Sequence, residues 1–142
     1  MNKLVLAVPV LCLTVFAIAA DTKTVTSRTG NCTLAVPATF TVEPMLGSAS
    51  SPDKKISLTV SSPTHGLSTL AEVEETAPTV YKDDKVTKKT ASEFEMEGKS
   101  ITGKPNVYRA IPAGAKVCIV EVMYESGTAA DARAIAETMK AK

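Results

Sequence analysis

The residues that could carry out chemistry begin with a glycine-rich segment. Residues 98–104 match the first seven positions of a P-loop, whose backbone N–H groups cradle phosphates. The eighth position should be a serine or threonine, whose hydroxyl holds magnesium, but it is Pro105. Proline also biases Lys104 away from the helix that a P-loop opens. The segment is therefore interpreted as a glycine-rich hairpin turn and not as a nucleotide site.

The next candidates are a histidine and a tyrosine–arginine pair. His65 lies in a loop rich in proline and glycine without a recognisable nucleophile or orienting acid, so we expect a solvated loop histidine. Tyr108 and Arg109 form the most interesting pair for ligand contact, although packing of the arginine stem beside the tyrosine is the better explanation. The sequence therefore predicts no catalytic residue.

A run of alternating glutamates is the remaining candidate. Glu93, Glu95 and Glu97 alternate with Phe94 and Met96, which predicts a strand with one solvated acidic face. These carboxylates could chelate calcium weakly, but no loop of Gly, Asn and Asp at ligand spacing accompanies them. We expect no metal site here.

The composition excludes several other kinds of site and partner. The chain of 142 residues has one histidine and three cysteines, only just the four ligands of a usual zinc site, and one of them, Cys12, lies inside an apolar stretch, so we expect no zinc site. Its formal charge is +1, from 16 basic and 15 acidic residues, so it has no excess charge to attract nucleic acid. We expect no cofactor and no nucleic-acid partner. Hydrophobic residues make up 44% of the chain, enough to form a core.

The beginning of the chain has the pattern of a secretory signal peptide. A lysine near the start is followed by an apolar stretch over residues 4–18, and the small-x-small rule places cleavage after Ala19 or Ala20. A transmembrane anchor is the alternative, because about 17 apolar residues could just span a bilayer. The alanine-rich end of the apolar stretch, and the lack of a basic stop-transfer segment after it, favour cleavage over a transmembrane anchor. We expect a signal peptide over residues 1–20 and one globular domain over residues 21–142, in the bacterial periplasm or outside the cell, with no membrane span after cleavage.

Two cysteines remain after cleavage, Cys32 and Cys118, and an oxidising compartment favours their pairing. Each alternates with apolar residues in a strand-like segment, which places both on an apolar strand face, as an internal cross-strand bridge requires. A redox-active pair is the alternative, but catalytic pairs are typically close in sequence, as in Cys-x-x-Cys. We predict a structural disulfide between them.

Strand patterns dominate the elements that must position these residues. Alternation or β-propensity predicts strands over residues 21–28, 32–36, 39–42, 55–61, 92–97, 107–111 and 116–124. The last strand is nearly continuous in apolar residues, with only Glu121 intervening, so we expect it at the centre of the sheet. Residues 112–115 are expected to form the turn of a hairpin. By composition, residues 47–53 and 62–66 are expected to be loops, and residues 82–89 a solvated charge run.

Two segments have helical spacing. Residues 67–81 are predicted to form a helix with a capping box of Thr69 and Glu72, and Pro78 should bend it or end it near Ala77.

The second helix is predicted over residues 128–140, with Thr128 and Asp131 capping its start. Its apolar face is predicted to consist of Ala132, Ile135, Ala136 and Met139. The resulting fold class is α+β, an antiparallel sheet with helices packed on it and a helix at the C-terminus. A pure β-sandwich is the main alternative and would require both segments to be non-helical.

A family resemblance follows from residues 34–40, Leu-Ala-Val-Pro-Ala-Thr-Phe. This segment resembles the opening of PsbP-like domains of the Mog/PsbP/DcrB fold group, where a strand with a Val-Pro step precedes an aromatic residue, usually tryptophan; here it is Phe40. The order of elements is similar over most of residues 25–140. The resemblance implies an α/β/α-type sandwich on an antiparallel sheet. Members are mostly non-catalytic binding or assembly proteins, and the resemblance supplies neither a substrate nor a functional residue.

Two hypotheses about function remain. The first is an exported, non-enzymatic module that binds a protein or a cell-envelope component. The second is a small secreted enzyme or ligand-binding protein with an unrecognised site near His65 or near Tyr108 and Arg109. A deep pocket that holds one of these groups would favour the second hypothesis, whereas a closed sheet face would favour the first.

Overall fold

A computed structural model describes residues 21–142, and the predicted signal peptide over residues 1–20 lies outside the described residues. Strands hold 46% of the described part and helices 16%. The strands are β1 (Thr22–Thr26), β2 (Cys32–Pro37), β3 (Thr41–Glu43), β4 (Ser48–Ser50), β5 (Ile56–Ser61), β6 (Lys85–Thr90), β7 (Glu93–Lys99), β8 (Pro105–Ala113), β9 (Lys116–Tyr124) and β10 (Lys140–Ala141). The helices are α1 (Leu70–Val80) and α2 (Ala129–Glu137).

Seven strands form a large antiparallel sheet in the order β3-β4-β5-β9-β8-β7-β6, and three form a small sheet in the order β1-β2-β10. β9 is the middle strand of the large sheet, as its apolar sequence predicts, and pairs with β5 on one side and β8 on the other. The predicted hairpin between β8 and β9 is confirmed. Its turn contains Gly114 at a φ of +64°, a conformation that glycine adopts without the steric cost of a Cβ.

One face of the large sheet packs against α2 and the small sheet. The β5 side chains Ile56, Leu58 and Val60 are buried on this face, as their alternation predicts. The small sheet contributes Leu34 and Val36 of β2 to the same core. The buried residues of the C-terminal segment are those predicted for its apolar face, Ala132, Ile135, Ala136 and Met139.

The opposite face packs against α1. Val73 and Ala77 of this helix form a second core with Phe94 and Met96 of β7. The α+β class, the antiparallel sheet and the C-terminal helix are therefore confirmed. The fold is richer in sheet than the predicted α/β/α-type sandwich, because the small sheet shares one face with α2.

The predicted disulfide between Cys32 and Cys118 is present. It joins β2 of the small sheet to β9 of the large sheet, and both residues are fully buried. The bridge therefore ties the two sheets together through their common core.

The helix predictions hold in part. The capping box of α1 is confirmed, because Thr69 accepts a hydrogen bond from the Glu72 backbone while the Glu72 carboxylate accepts from the Thr69 backbone. The helix does not end near Ala77, since Pro78 lies inside it and Val80 is its last residue. No helix within residues 21–142 has both the length and the apolar character needed to cross a membrane.

The second helix is shorter than predicted at its C-terminal end. Thr128 does not cap it with its side chain, because its hydroxyl donates to the Glu125 carbonyl instead. The helix ends at Glu137, and the Thr138 hydroxyl then accepts a hydrogen bond of 2.9 Å from the Ala35 backbone N–H in β2. This contact leads the chain into β10, so residues 140–141 form a strand rather than the predicted last turn.

Of the predictions for two polar segments, one was wrong and the other was confirmed but incomplete. Residues 48–50 are a strand and not a loop, because Ala49 is buried opposite Leu58 of the neighbouring strand. The charged residues 85–90 are exposed as expected, but they form an edge strand of the large sheet. A strand of small or charged residues lacks a recognisable pattern in the sequence, because its conformation depends on pairing with a distant segment.

Candidate functional site

The candidate site is a cleft of about 390 Å³ at one end of the large sheet. Its walls are residues 80–83, at the C-terminal end of α1, and the turn between β7 and β8, from Lys99 to Gly103. We call it the turn cleft. The glycine-rich segment that resembles a P-loop thus supplies one wall of a binding-sized cavity, although not in the way that a P-loop would.

The segment forms the predicted hairpin turn. The Ser100 N–H donates to the Lys104 carbonyl at 2.7 Å, and the Gly103 N–H donates to the Ser100 carbonyl at 2.8 Å. Pro105 begins the following strand and pairs with Lys99, so no helix follows the glycines. The geometry is that of a tight connection between antiparallel strands and not of a phosphate cradle at a helix N-terminus.

Asp84 links the two walls of the cleft. Its Oδ1 accepts a hydrogen bond of 2.6 Å from the Lys99 backbone N–H. This approach requires glycine at position 98, because a Cβ there would lie 2.2 Å from Asp84 Oδ1 and 2.6 Å from its Cα. Burial raises the pKa of the Asp84 carboxyl above its usual range, and its Oδ2 is buried without a hydrogen-bond partner among the described residues.

Behind the cleft lies a group of four polar side chains, which we call the tyrosine cluster: Tyr81, Asn106, Tyr108 and Glu121. The Tyr81 hydroxyl donates to Glu121 Oε2 at 3.1 Å, and Asn106 Nδ2 donates to Glu121 Oε1 at 3.3 Å. The rings of Tyr81 and Tyr108 lie 5.3 Å apart between centroids at an angle of 49°. Tyr81 also lines the cleft, so it connects the cluster to the surface.

The chemistry available to the cluster is hydrogen bonding. Burial raises the pKa of both tyrosines, and the nearby Glu121 carboxylate adds to the effect, so both phenols stay neutral and Tyr81 donates to Glu121. The Tyr108 hydroxyl and Asn106 Oδ1 are buried without a partner within residues 21–142. A neutral phenol is a poor base near neutral pH, so the cluster lacks an activated nucleophile.

The mouth of the cleft is apolar and cationic. Val80 is 50% exposed and Ile101 is 79% exposed, large fractions for side chains of this size and polarity. Two lysines, Lys82 and Lys99, line the cleft beside them. Neither forms an ion pair with another residue of the described chain.

Other clefts lie within residues 21–142. One of about 430 Å³ lies at the opposite end of the sheet, between Arg28, Leu46 and residues 59–64, and its other polar lining groups are hydroxyls and backbone. His65 follows this lining in an exposed loop, as predicted. Within the described residues, no group of three or more His, Cys, Asp and Glu side chains could hold a metal ion.

The predicted pair of Tyr108 and Arg109 is split between the two faces of the sheet. Tyr108 belongs to the core beneath α1, whereas Arg109 faces α2, so the arginine stem does not pack beside the tyrosine. Arg109 Nε donates to Glu93 Oε1 at 2.7 Å, and Nη1 donates to the Ala136 carbonyl at 3.0 Å. This arginine therefore holds the C-terminal end of α2.

The predicted solvated face of Glu93, Glu95 and Glu97 is also wrong. Glu95 is only 8% exposed and accepts a hydrogen bond from Thr87, and Glu97 is paired with Arg133 of α2. Because α2 and β6 bring donors to this face, its carboxylates are engaged within the protein and do not form an open calcium site.

Sequence reasoning named Tyr108 but missed the rest of the tyrosine cluster and the role of Asp84. The available signal was Glu121, the one charged residue inside the apolar run of β9, since a carboxylate in a central strand needs hydrogen-bond donors. Its donors come from Tyr81 and Asn106, which lie 40 and 15 residues away in the chain. No periodicity could have brought these positions together.

The chain matches no protein-family model, and no curated protein is significantly similar to it.

Proposed function

We propose that this chain is an exported, non-enzymatic binding or assembly module of the bacterial cell envelope or the surrounding medium, with the turn cleft as its contact surface. The observation that carries the proposal is the exposure of Val80 and Ile101 at the mouth of a cavity of about 390 Å³. Apolar side chains that rim a cleft are typical of sites that bury them against a partner.

The sequence supports export. The leader pattern over residues 1–20 is that of a secretory signal peptide, and the buried bridge between Cys32 and Cys118 suits an oxidising compartment. The resemblance to PsbP-like domains, whose members are mostly binding or assembly proteins, agrees with a non-catalytic role.

The placement of the candidate catalytic residues also supports binding. A hydrolase built on them would need one of these groups in a deep pocket. His65 is exposed on a loop, Tyr108 is buried in the core beneath α1, and Arg109 is held by Glu93 and the end of α2. None of these groups within residues 21–142 is placed in a deep pocket, and this arrangement favours a binding module over an enzyme.

Two variants test the role of the cleft. The full chain is expressed with its leader in a bacterial host, and the mature N-terminus is sequenced from the periplasmic and medium fractions. Purified mature protein is then mixed with washed cell envelopes, and the sedimenting fraction is measured for wild type, Ile101→Ser and Met45→Ser. Met45 is a matched control, since it is 83% exposed but lies at the opposite end of the sheet.

We expect processing near Ala20, retention of wild type and Met45→Ser, and several-fold lower retention of Ile101→Ser. Equal retention of the two variants, or no retention of wild type, would contradict a binding role for the cleft. An unprocessed N-terminus would contradict export.

A further inference from the structure

We propose that the partner bound at the turn cleft is an extended acidic polypeptide segment that places an apolar side chain between Val80 and Ile101. The inference rests on the proposed binding function and adds the chemistry of the partner. Three features carry it: the charge around the cleft, the size and lining of the cleft, and the free strand edge beside it.

The charge around the cleft favours an anionic partner. Lys82 and Lys99 line the cleft together with one carboxylate, that of Asp83, which leaves a net charge of +1 among its lining residues.

Lysines at the other end of β6 provide a contrast. Lys88 pairs with Glu93 at 3.3 Å, and Lys89 pairs with Glu74 of α1 at 3.4 Å. Lys82 and Lys99 at the cleft form no ion pair within residues 21–142, so they remain free to meet charge from outside.

The lining of the cleft suits one apolar side chain of the partner. Ile101 and Val80 stand at its mouth, and the ring of Tyr81 forms part of its wall. A volume of about 390 Å³ lies near the lower end of the range for binding sites, enough for a side chain and part of its backbone. A central apolar anchor with charged residues around it is the usual arrangement of a small interface.

The strand edge favours a polypeptide over a lipid surface. β6 is the last strand of the large sheet, and all of its residues are exposed. Its first residue, Lys85, comes two positions after the cleft wall, so a segment in the cleft could continue along this edge as an added strand. Lysines on an edge repel a second copy of the same strand but attract a strand that carries glutamates or aspartates.

Short synthetic peptides test this chemistry. The probe is an acetylated and amidated peptide with a central leucine flanked by glutamates. Its controls replace the leucine by serine or the glutamates by lysines, and vesicles of phosphatidylglycerol in phosphatidylcholine represent an anionic lipid surface. Binding to the mature, disulfide-bonded protein is followed by amide shifts in ¹⁵N-labelled protein and by titration calorimetry at low and high salt.

We expect the acidic leucine peptide to shift amides over residues 80–86 and 99–104 and to bind more weakly at high salt. Lys99→Gln should weaken binding up to about fivefold, since an exposed ion pair contributes at most about one kcal/mol. Ile101→Ser should weaken it about tenfold or more, because the apolar contact is lost. Lys116→Gln, an exposed lysine at the far end of β9, should leave it unchanged.

The proposal is overturned if the acidic leucine peptide fails to bind, if the serine peptide binds equally well, or if only the vesicles bind. It is also overturned if the shifts map outside the cleft and β6. If the peptides fail while Ile101→Ser still lowers envelope retention, the partner chemistry is wrong and the proposed binding function stands. If retention is also unaffected, both are wrong.

Discussion

Removal of the disulfide between Cys32 and Cys118 measures how much stability comes from chain connectivity. The bridge joins residues 86 positions apart, so its loss frees a long loop in the unfolded chain. In the chain-entropy relation, a loop of this length corresponds to about 4.6 kcal/mol at room temperature. Both residues are fully buried, and truncation to alanine adds a packing loss of about 1 kcal/mol. We expect Cys32→Ala/Cys118→Ala to lose about 4–6 kcal/mol, a large share of the roughly 5–15 kcal/mol of a typical domain.

Urea unfolding followed by circular dichroism gives the free energy of unfolding for each variant. The two single variants, Cys32→Ala and Cys118→Ala, are the controls, because either one opens the same loop. Each should therefore lose nearly as much stability as the double variant. A loss below about 2 kcal/mol, or single losses that add up to the double loss, would refute the entropic reasoning.

Two further substitutions test local contacts. Gly98→Ala should lose about 1–3 kcal/mol of unfolding free energy, because its Cβ would lie 2.6 Å from the Asp84 backbone; an unchanged urea midpoint would contradict the packing argument. Arg109→Met should lose about 2–4 kcal/mol, since it removes the less exposed of the two cationic partners of Glu93 and the donor at the end of α2. The control Arg133→Met removes a more exposed ion pair and should lose less than about 1 kcal/mol; equal losses would contradict the role given to Arg109.

Acidification tests the same pair through the pKa of Glu93. Burial alone would raise this pKa, but hydrogen bonds and charge from Arg109 and Lys88 outweigh it and lower the pKa below 4.5. The stabilisation is therefore complete above pH 4.5 and is lost as the pH falls through the lower folded-state pKa. Urea unfolding between pH 6 and pH 3 should show a smaller acid-dependent loss in Arg109→Met than in wild type. Identical pH profiles would show that Arg109 does not lower this pKa.

Patterns of apolar residues predicted the parts of the fold where one face of an element is buried. β5 and β9 are strands at the expected positions, and the apolar face of α2 is the one that its spacing indicates. The disulfide was predictable for the same reason, because alternation placed Cys32 and Cys118 on inward faces. In each case the information is local, since period and burial are properties of one segment.

The candidate site was much less predictable. The glycine-rich turn before Pro105 was recognised as a hairpin, but its role as a cleft wall depends on the end of α1 reaching it. The neighbours of Glu121 and Arg109 come from other strands and helices. Such contacts engage Glu93 and Glu95, which were expected to be solvated, and Arg109, which was expected to pack beside Tyr108.

The sequence by itself determined the class of this fold: two cysteines positioned to pair, and strands and helices that make an antiparallel α+β domain. Only the tertiary structure decided that a second sheet shares one face with α2 and that lysines and exposed apolar residues meet at one end. The reason is physical. Hydrophobic periodicity specifies which side of an element is buried, whereas the fate of a polar side chain depends on donors and charges that folding brings from distant segments.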